Sequence, residues 1–184
     1  FAHGAADGNV SGLIAKLLTH DGQLLGQSCR LNLRDSVPLQ SSLFQIAQQL
    51  GEQLSNQRVT AEQLRGCRAE LSILNDVAMH GTVDEADLRG IIPQRRAFAV
   101  MQRNRTAIAF DIHAIPETLM QTATAAARID AEEPASLFSL AAVSTAPSTT
   151  WAQFPQAVSG ADVRPVVQAG RFYPADVREL NALV

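Results

Sequence analysis

A chain of 184 residues can bury one hydrophobic core, and a composition of 46% hydrophobic and 18% charged residues is typical of a folded globular domain. The net charge of -3 gives no reason to expect nucleic acid or a membrane surface as a partner. No apolar run is long enough to span a bilayer, and the two cysteines form no CxxC pair, so we expect a reducing compartment, the cytoplasm.

The first predicted elements form a β-hairpin. Residues 10–19 and 23–33 are apolar with partial alternation, and the Asp21-Gly22 dipeptide between them is a strong hairpin turn signal. The second strand carries Cys29.

An amphipathic helix is predicted next. Asp35 or Ser36 can cap it, and Pro38 suits a first helical turn. Apolar residues recur at spacings of four and three, namely Leu39, Leu43, Ile46, Leu50 and Leu54. The polar face comprises Gln40, Gln48, Gln49, Glu52 and Gln53. We expect the apolar stripe to cover one face of a sheet.

The centre of the chain, residues 67–111, is organised around apolar strands that polar, turn-rich segments separate. The predicted strands are residues 67–74, 97–101 and 106–111. Short helical turns are predicted at residues 60–64 and 84–88, and Arg103-Asn104-Arg105 forms the tip of a hairpin.

A second helix is predicted from Pro116, with a small apolar face of Leu119, Met120, Ala123, Ala126 and Ala127. Residues 137–143 are predicted as the last strand of the core. The elements together predict an α+β fold, with a mostly antiparallel or mixed sheet of about five to six strands packed against two main helices.

The composition changes after Ser144. Serine, threonine, proline and glycine recur in residues 147–163, which predicts a linker, and ordered patterning resumes at residues 164–184. We therefore predict a first domain over residues 1–146 and the start of a second domain at residue 164. Within the linker, Trp151 and Phe154 are candidates for docking onto the core. Since the chain starts at a phenylalanine and stops inside a predicted helix, we interpret it as a piece of a longer polypeptide.

Cys29 is the first candidate for chemistry. It lies between Ser28 and Arg30, and a neighbouring guanidinium can lower the pKa of a thiol and make it nucleophilic. The alternative is a buried structural cysteine. Cys67, between Arg65 and Arg68, has the same two interpretations.

A second candidate is a run of arginines around one predicted hairpin, which comprises Arg89, Arg95, Arg96, Arg103 and Arg105. Such a cluster can hold a phosphate or a carboxylate. The alternative is a set of solvated charges that protects a sheet edge. The histidines, His3, His20, His80 and His113, share no metal-binding spacing, so we interpret them as surface loop residues and predict no metal site here.

Several segments, in this order and spacing, resemble the AMMECR domain family from about Gly12 to Ala146. They are Ser11–Thr19 with Asp21-Gly22-Gln23-Leu24, Pro38-Leu39 with the helix to Leu54, Glu70-Leu71-Ser72-Ile73-Leu74, Asp87-Leu88-Arg89-Gly90-Ile91-Ile92-Pro93, and Pro134–Leu140. The hallmark of that family is a Leu-Arg-Gly-Cys-Ile-Gly run on the strand after the Asp-Gly turn.

The corresponding strand here departs from that hallmark. It reads Leu25-Gly26-Gln27-Ser28-Cys29-Arg30-Leu31-Asn32, and only the cysteine and the leucine spacing remain. A literal Leu64-Arg65-Gly66-Cys67 run occurs too late in the chain, so we match Cys29 and treat Cys67 as a coincidence. If the hallmark is a catalytic or binding site, the resemblance implies an impaired or inactive copy.

The last segment resembles the start of the Memo-like family, which is related in fold to class III extradiol dioxygenases and implicated in metal binding. The matching residues run from Val163 to Asp176, with Glu179-Leu180. The pairing implies the bacterial AmmeMemoRadiSam system, which also contains a radical-SAM protein.

The resemblance implies an accessory domain with no cofactor of its own, beside a Memo-like domain that holds any metal ion. The residues alone leave open whether the chain is an enzyme. The alternatives are an enzyme that uses Cys29 with Ser28 and Arg30 in modification or redox chemistry, and a module that binds anions through the arginine hairpin.

Overall fold

The computed structural model describes residues 8–154, so the predicted Memo-like segment lies outside the described residues. The strands are β1 (Asn9–Val10), β2 (Gly12–Leu18), β3 (Leu24–Leu31), β4 (Val37–Pro38), β5 (Arg68–Thr82), β6 (Arg96–Gln102), β7 (Arg105–Asp111), β8 (Ser136–Ser144) and β9 (Ser148–Gln153). The helices are α1 (Leu39–Asn56), α2 (Ala61–Arg65) and α3 (Pro116–Ala127).

Seven strands form one antiparallel sheet in the order β3-β2-β5-β8-β6-β7-β9, and β1 and β4 form a separate two-stranded sheet. The α+β class is therefore confirmed, with more strands in the main sheet than the five to six predicted. The sheet is nearly barrel-like. Its two edges, β3 and β9, would lie about 29 Å apart if six spacings of roughly 4.8 Å ran across a flat sheet. They instead line one cleft.

The main helices both pack on the convex face of this curled sheet. Ile46 of α1 packs against Leu13 and Ala15 of β2. Leu119 and Ala123 of α3 pack against residues of β6 and β7. The side chains of the other face form the concave cluster, whose buried members are Ile14, Leu74, Ala97, Ala99, Ile108, Phe110 and Leu140.

Most of the predicted local elements are confirmed. The β2–β3 hairpin turns at Asp21-Gly22, where Gly22 adopts a φ of 80°. The helix predicted from Pro116 has that proline at its start, and α2 has a capping box in which Thr60 and Gln63 cap each other. The β6–β7 hairpin has its tip at Arg103 and Asn104, as predicted.

The beginning and the apolar stripe of α1 differ from the prediction. The residue before the helix is Pro38, and no side chain caps it, so neither Asp35 nor Ser36 fills that role. Leu43 is 39% exposed, although it belongs to the predicted apolar stripe. The helix therefore buries a narrower face than its leucine spacing indicates.

Residues after Leu74 are also more regular than the sequence indicates. Strand β5 runs for 15 residues to Thr82, through a segment for which the sequence predicts polar turns. Irregularities between Asn75 and Ala78 and between Met79 and Thr82 interrupt its register with β8. Residues 84–88, predicted as a short helix, form turns and irregular backbone.

The predicted linker begins with a strand of the sheet. Residues 148–153 form β9, which pairs with β7 from Thr106↔Gln153 to Asp111↔Ser148. Strand β8 is therefore not the last strand, and the core continues beyond the predicted boundary at residue 146. Threonine and tryptophan favour strands, and the open edge of β7 supplies the pairing partner that decides their conformation. Trp151 packs against the concave cluster, as its predicted docking requires.

Candidate functional site

A cleft of about 740 Å³ opens between the two edge strands of the main sheet. Residues 27–29 of β3 form one wall, and residues 151–154, from β9 and the position after it, form the other. Four polar side chains of α1 complete the lining, namely Gln49, Glu52, Gln53 and Asn56. The cleft is thus a seam in the nearly closed sheet, with a helix beside it.

The four α1 side chains lie on one face because their spacings are three, one and three residues. The sequence alone places three of them, Gln49, Glu52 and Gln53, only on the polar face of the helix. The signal that identifies them as a group is this i, i+3, i+4, i+7 polar spacing, which matches the spacing of an apolar stripe. Glutamine and asparagine in that pattern give a helix a second, polar contact face.

Two hydrogen bonds attach this face to the edge strand. The hydroxyl of Ser28 donates to Oε1 of Gln49 at 2.5 Å. The backbone N–H of Gln27 donates to Oε1 of Gln53 at 3.3 Å. The second bond occupies an edge N–H group that would otherwise be open to another strand. Both glutamine carbonyl oxygens therefore point to β3.

The three predicted catalytic residues do not converge. Cys29 lies opposite Ile14 of the concave cluster, whereas Arg30 lies opposite Leu13, which faces α1. Successive strand residues point to opposite faces, so Ser28 and Arg30 share one face and Cys29 occupies the other. Because the three residues are consecutive in one strand, the Cys29 side chain lies on the opposite face of the sheet from those of Ser28 and Arg30.

Burial raises the pKa of the Cys29 thiol to about 12. The thiol packs against the apolar concave cluster, where its charged form loses hydration. This direction is opposite to the one that a nucleophilic thiolate requires near neutral pH. The geometry therefore supports the structural interpretation of Cys29. Cys67 lies apart from the cleft, and its thiol donates to the carbonyl oxygen of Gln63 at 3.0 Å.

The predicted arginine cluster is divided between the two ends of a hairpin. Arg96 begins β6, while Arg103 and Arg105 lie at the turn after it. Seven residues of extended strand separate Arg96 from Arg103 by about 24 Å. At the turn, Arg103 pairs with Glu133, and Arg105 donates to the carbonyl oxygen of Arg128.

The other arginines of this group do not join a common site either. Arg89 forms an ion pair with Asp87 at 2.6 Å, and this contact holds the pKa of the carboxyl far below its usual range. Arg95 is exposed immediately before β6. These arginines therefore do not surround one anion.

Arg96 is instead part of a polar network that joins three strands. It donates to Oδ2 of Asp76 at 2.8 Å and to the backbone oxygen of Asp76 at 2.6 Å. Its Nε donates to the hydroxyl oxygen of Ser139 at 2.9 Å. Asp76 lies at the irregular point of β5 and has a φ of 51°. Arg96 thus holds the β5 irregularity against β8 and β6.

His80 belongs to the same network, which corrects its interpretation as a loop residue. It lies within β5, with Nε2 2.7 Å from the hydroxyl of Ser139. Burial lowers its pKa, and the charge of Arg96 acts in the same direction. His20 and His113 lie in turns, and His3 is outside the described residues. Within residues 8–154, no three potential metal-ligating side chains gather.

The observed arrangement is that of an α+β protein with a seven-stranded antiparallel sheet and a polar cleft at its seam. Its structure is similar to that of an uncharacterised protein from Pyrococcus horikoshii, with a TM-score of 0.51 and 16% sequence identity. The similarity covers 73% of this chain and 72% of that chain, and it extends to the fold alone. Neither a protein-family model nor a curated protein matches the sequence.

Across residues 8–154, no helix combines the length and the apolar character that a bilayer crossing requires.

Proposed function

We propose that the described domain is a non-catalytic, AMMECR-like accessory domain, which works beside a Memo-like domain that begins near residue 164 of the same polypeptide. The AMMECR resemblance of residues 12–146 supports the first part, and the likeness to the uncharacterised Pyrococcus protein supports the fold alone. A fold alone does not determine a function, so the proposal depends on the site.

The observation that carries the proposal is the position of Phe154. This residue follows β9 directly and lines the cleft that also holds Cys29 and Ser28. Ten residues of chain connect it to residue 164, and they can span at most about 35 Å. A downstream domain is therefore held close to the cleft at a high effective concentration.

The state of the thiol supports an accessory role. A cysteine whose pKa is raised to about 12 is almost entirely protonated at neutral pH, so it is a poor nucleophile and a poor metal ligand. The metal-dependent chemistry is accordingly assigned to the Memo-like domain. A radical-SAM protein is the proposed third component of the system.

The first test compares metal content. The 184-residue chain and a longer polypeptide that carries the proposed Memo-like domain in full are purified in parallel without chelator, and bound metals are measured by mass spectrometry. We expect stoichiometric metal only in the longer protein, and the same content in its Cys29→Ser variant. Stoichiometric metal in the 184-residue chain would contradict the proposal.

The second test measures thiol reactivity. Single-cysteine variants, Cys67→Ser and Cys29→Ser, are alkylated with iodoacetamide near pH 7.5, both folded and in denaturant. At a pKa of about 12 the thiolate fraction of Cys29 falls on the order of 1,000-fold below that of an unfolded thiol, so we expect a comparably slower reaction in the folded chain. Reaction as fast in the folded as in the unfolded state would favour the Cys29 enzyme instead.

A further inference from the structure

The cleft between β3 and β9 is lined by neutral hydrogen-bonding groups whose orientation is fixed. The carbonyl oxygens of Gln49 and Gln53 are both bound to β3, by the Ser28 hydroxyl and the Gln27 N–H. Each amide therefore keeps its NH₂ group, with two donors, for another partner. Within residues 8–154, neither NH₂ group forms a further hydrogen bond of its own. The amide of Asn56 adds both donors and an acceptor on the same helix face.

The charge of the lining disfavours an anion. Among the described lining residues, Glu52 is the one acidic residue, and no arginine or lysine lines the cleft. Arg128, near the rim, stacks on the ring of Phe154 at 4.7 Å. A phosphate or carboxylate held by Gln49 and Gln53 would therefore lie beside the Glu52 side chain, and it would meet no cation among the described lining residues.

Trp151 adds an aromatic surface on the opposite wall. It projects from β9 to the concave side of the sheet, lines the cleft and remains partly exposed. An indole face makes dispersion contacts with the C–H groups of a flat, polar molecule. Hydroxyl groups of such a molecule both donate and accept, which matches amide NH₂ donors and the Glu52 acceptor.

We propose that this cleft binds a neutral polyhydroxylated ligand of monosaccharide to disaccharide size, with its ring on Trp151 and its hydroxyls on Gln49 and Gln53. The volume of about 740 Å³ lies within the range of small-molecule sites, roughly 300–1,000 Å³. The inference stands independently of the Memo-like partnership, because it uses only groups of the described domain.

The test uses the protein's single tryptophan, Trp151, as its reporter. The 184-residue chain is titrated with D-glucose, maltose and myo-inositol, and with glucose 6-phosphate as the charged counterpart of glucose. We expect saturable fluorescence changes with at least one neutral probe, confirmed by calorimetry, and weaker binding of glucose 6-phosphate than of glucose. Failure of all three neutral probes, or tighter binding of the phosphate ester, would overturn the proposal.

Matched variants locate the binding. Gln49→Leu and Gln53→Leu each remove an amide from the lining, and Asn56→Ala tests an exposed lining residue with less effect on folding. Gln45→Leu makes the same change at an exposed position of α1 outside the cleft. We expect about tenfold weaker binding for the lining glutamine variants, as the loss of one or two hydrogen bonds predicts, and unchanged affinity for Gln45→Leu.

Unchanged affinity in all three lining variants, with thermal unfolding showing that they are folded, would place binding elsewhere and reject this site. The result of the metal test does not affect these titrations. The accessory role and the ligand site can therefore be rejected independently of each other.

Discussion

Cys29 and Trp151 lie on opposite edge strands of one seven-stranded sheet, yet both side chains pack against the same concave cluster and line the same cleft. This proximity requires the sheet to curl through most of a barrel. The seam leaves edge backbone groups and partly exposed side chains next to an apolar interior. A small molecule bound there would meet polar groups on one side and apolar groups on the other, which is the usual character of a ligand site.

Because of the Cys29 thiol, we expect the folded protein to lose stability in alkaline solution. Its pKa is raised from 9.0 to about 12 by burial, so the folded chain keeps a proton that the unfolded chain releases. The stabilisation is complete below about pH 9 and is lost as the pH rises towards 12. In this window the free energy of unfolding should fall by up to about 1.4 kcal/mol per pH unit from this group.

Denaturant unfolding between pH 8 and 10.5 measures this slope, and Cys29→Ala, which lacks the titrating group, provides the reference. The slope should be shallower in Cys29→Ala than in the natural sequence, with Cys67→Ala as the control. Equal slopes in the natural sequence and Cys29→Ala would show that Cys29 is hydrated in the folded state.

Arg96 should contribute strongly to stability, because it donates hydrogen bonds to Asp76 and Ser139 across three strands. Arg96→Met leaves these acceptors without their partner and should cost roughly 2–4 kcal/mol. Arg95→Met changes the exposed neighbouring arginine and should alter stability by no more than about 0.5 kcal/mol. Chemical denaturation of the two variants makes the comparison, and similar losses would contradict the network role.

Because of His80, we expect the folded protein to lose stability in acid. Burial and the charge of Arg96 lower its pKa below 6.5, whereas Asp87 acts in the opposite direction. The folded chain therefore binds fewer protons at His80 than the unfolded chain does. Its contribution is present above about pH 6.5 and is lost as the pH falls through the lowered value.

Unfolding at pH 7.5 and pH 5 should show a smaller acid loss in His80→Gln, whose amide can still bond to Ser139. His20→Gln changes a histidine whose side chain is 93% exposed, so it should retain the full acid loss. If the two variants lose the same stability in acid, His80 does not differ from a solvated histidine.

Along strand β9, we expect the backbone amides to alternate between protection from hydrogen exchange and free exchange. The N–H of Ile112 donates to the oxygen of Pro147, which fixes which residues of the last strand face β7. By the antiparallel alternation, Thr149, Trp151 and Gln153 point their N–H groups towards β7, and Thr150 and Ala152 point theirs to the open edge. Hydrogen exchange followed by NMR should show slow exchange for the first set and fast exchange for the second. Uniformly fast exchange over residues 148–153 would show that this segment is a linker, as the sequence predicts, and not a strand.

Local signals predicted much of the secondary structure. The Asp21-Gly22 turn, Pro116 at a helix start and the leucine spacing of α1 each act within a few residues, so they are readable without a fold. The linker prediction at residues 148–153 was wrong because strand formation there depends on the edge of β7, some forty residues earlier in the chain. The side chains of Ser28, Cys29 and Arg30 do not meet for a related reason, since adjacent strand residues face opposite sides of the sheet.

The sequence by itself determined the α+β class, the two main helices and most strand positions, because hydrophobic periodicity and turn chemistry are local properties. Only the tertiary structure decided the order of the strands and the curl of the sheet, which depend on contacts between distant segments. That curl places Trp151 and Cys29 on one cleft and buries the thiol, which raises its pKa. Burial is a collective result of packing, so the chemistry of this cysteine was decided by the fold and not by its sequence neighbours.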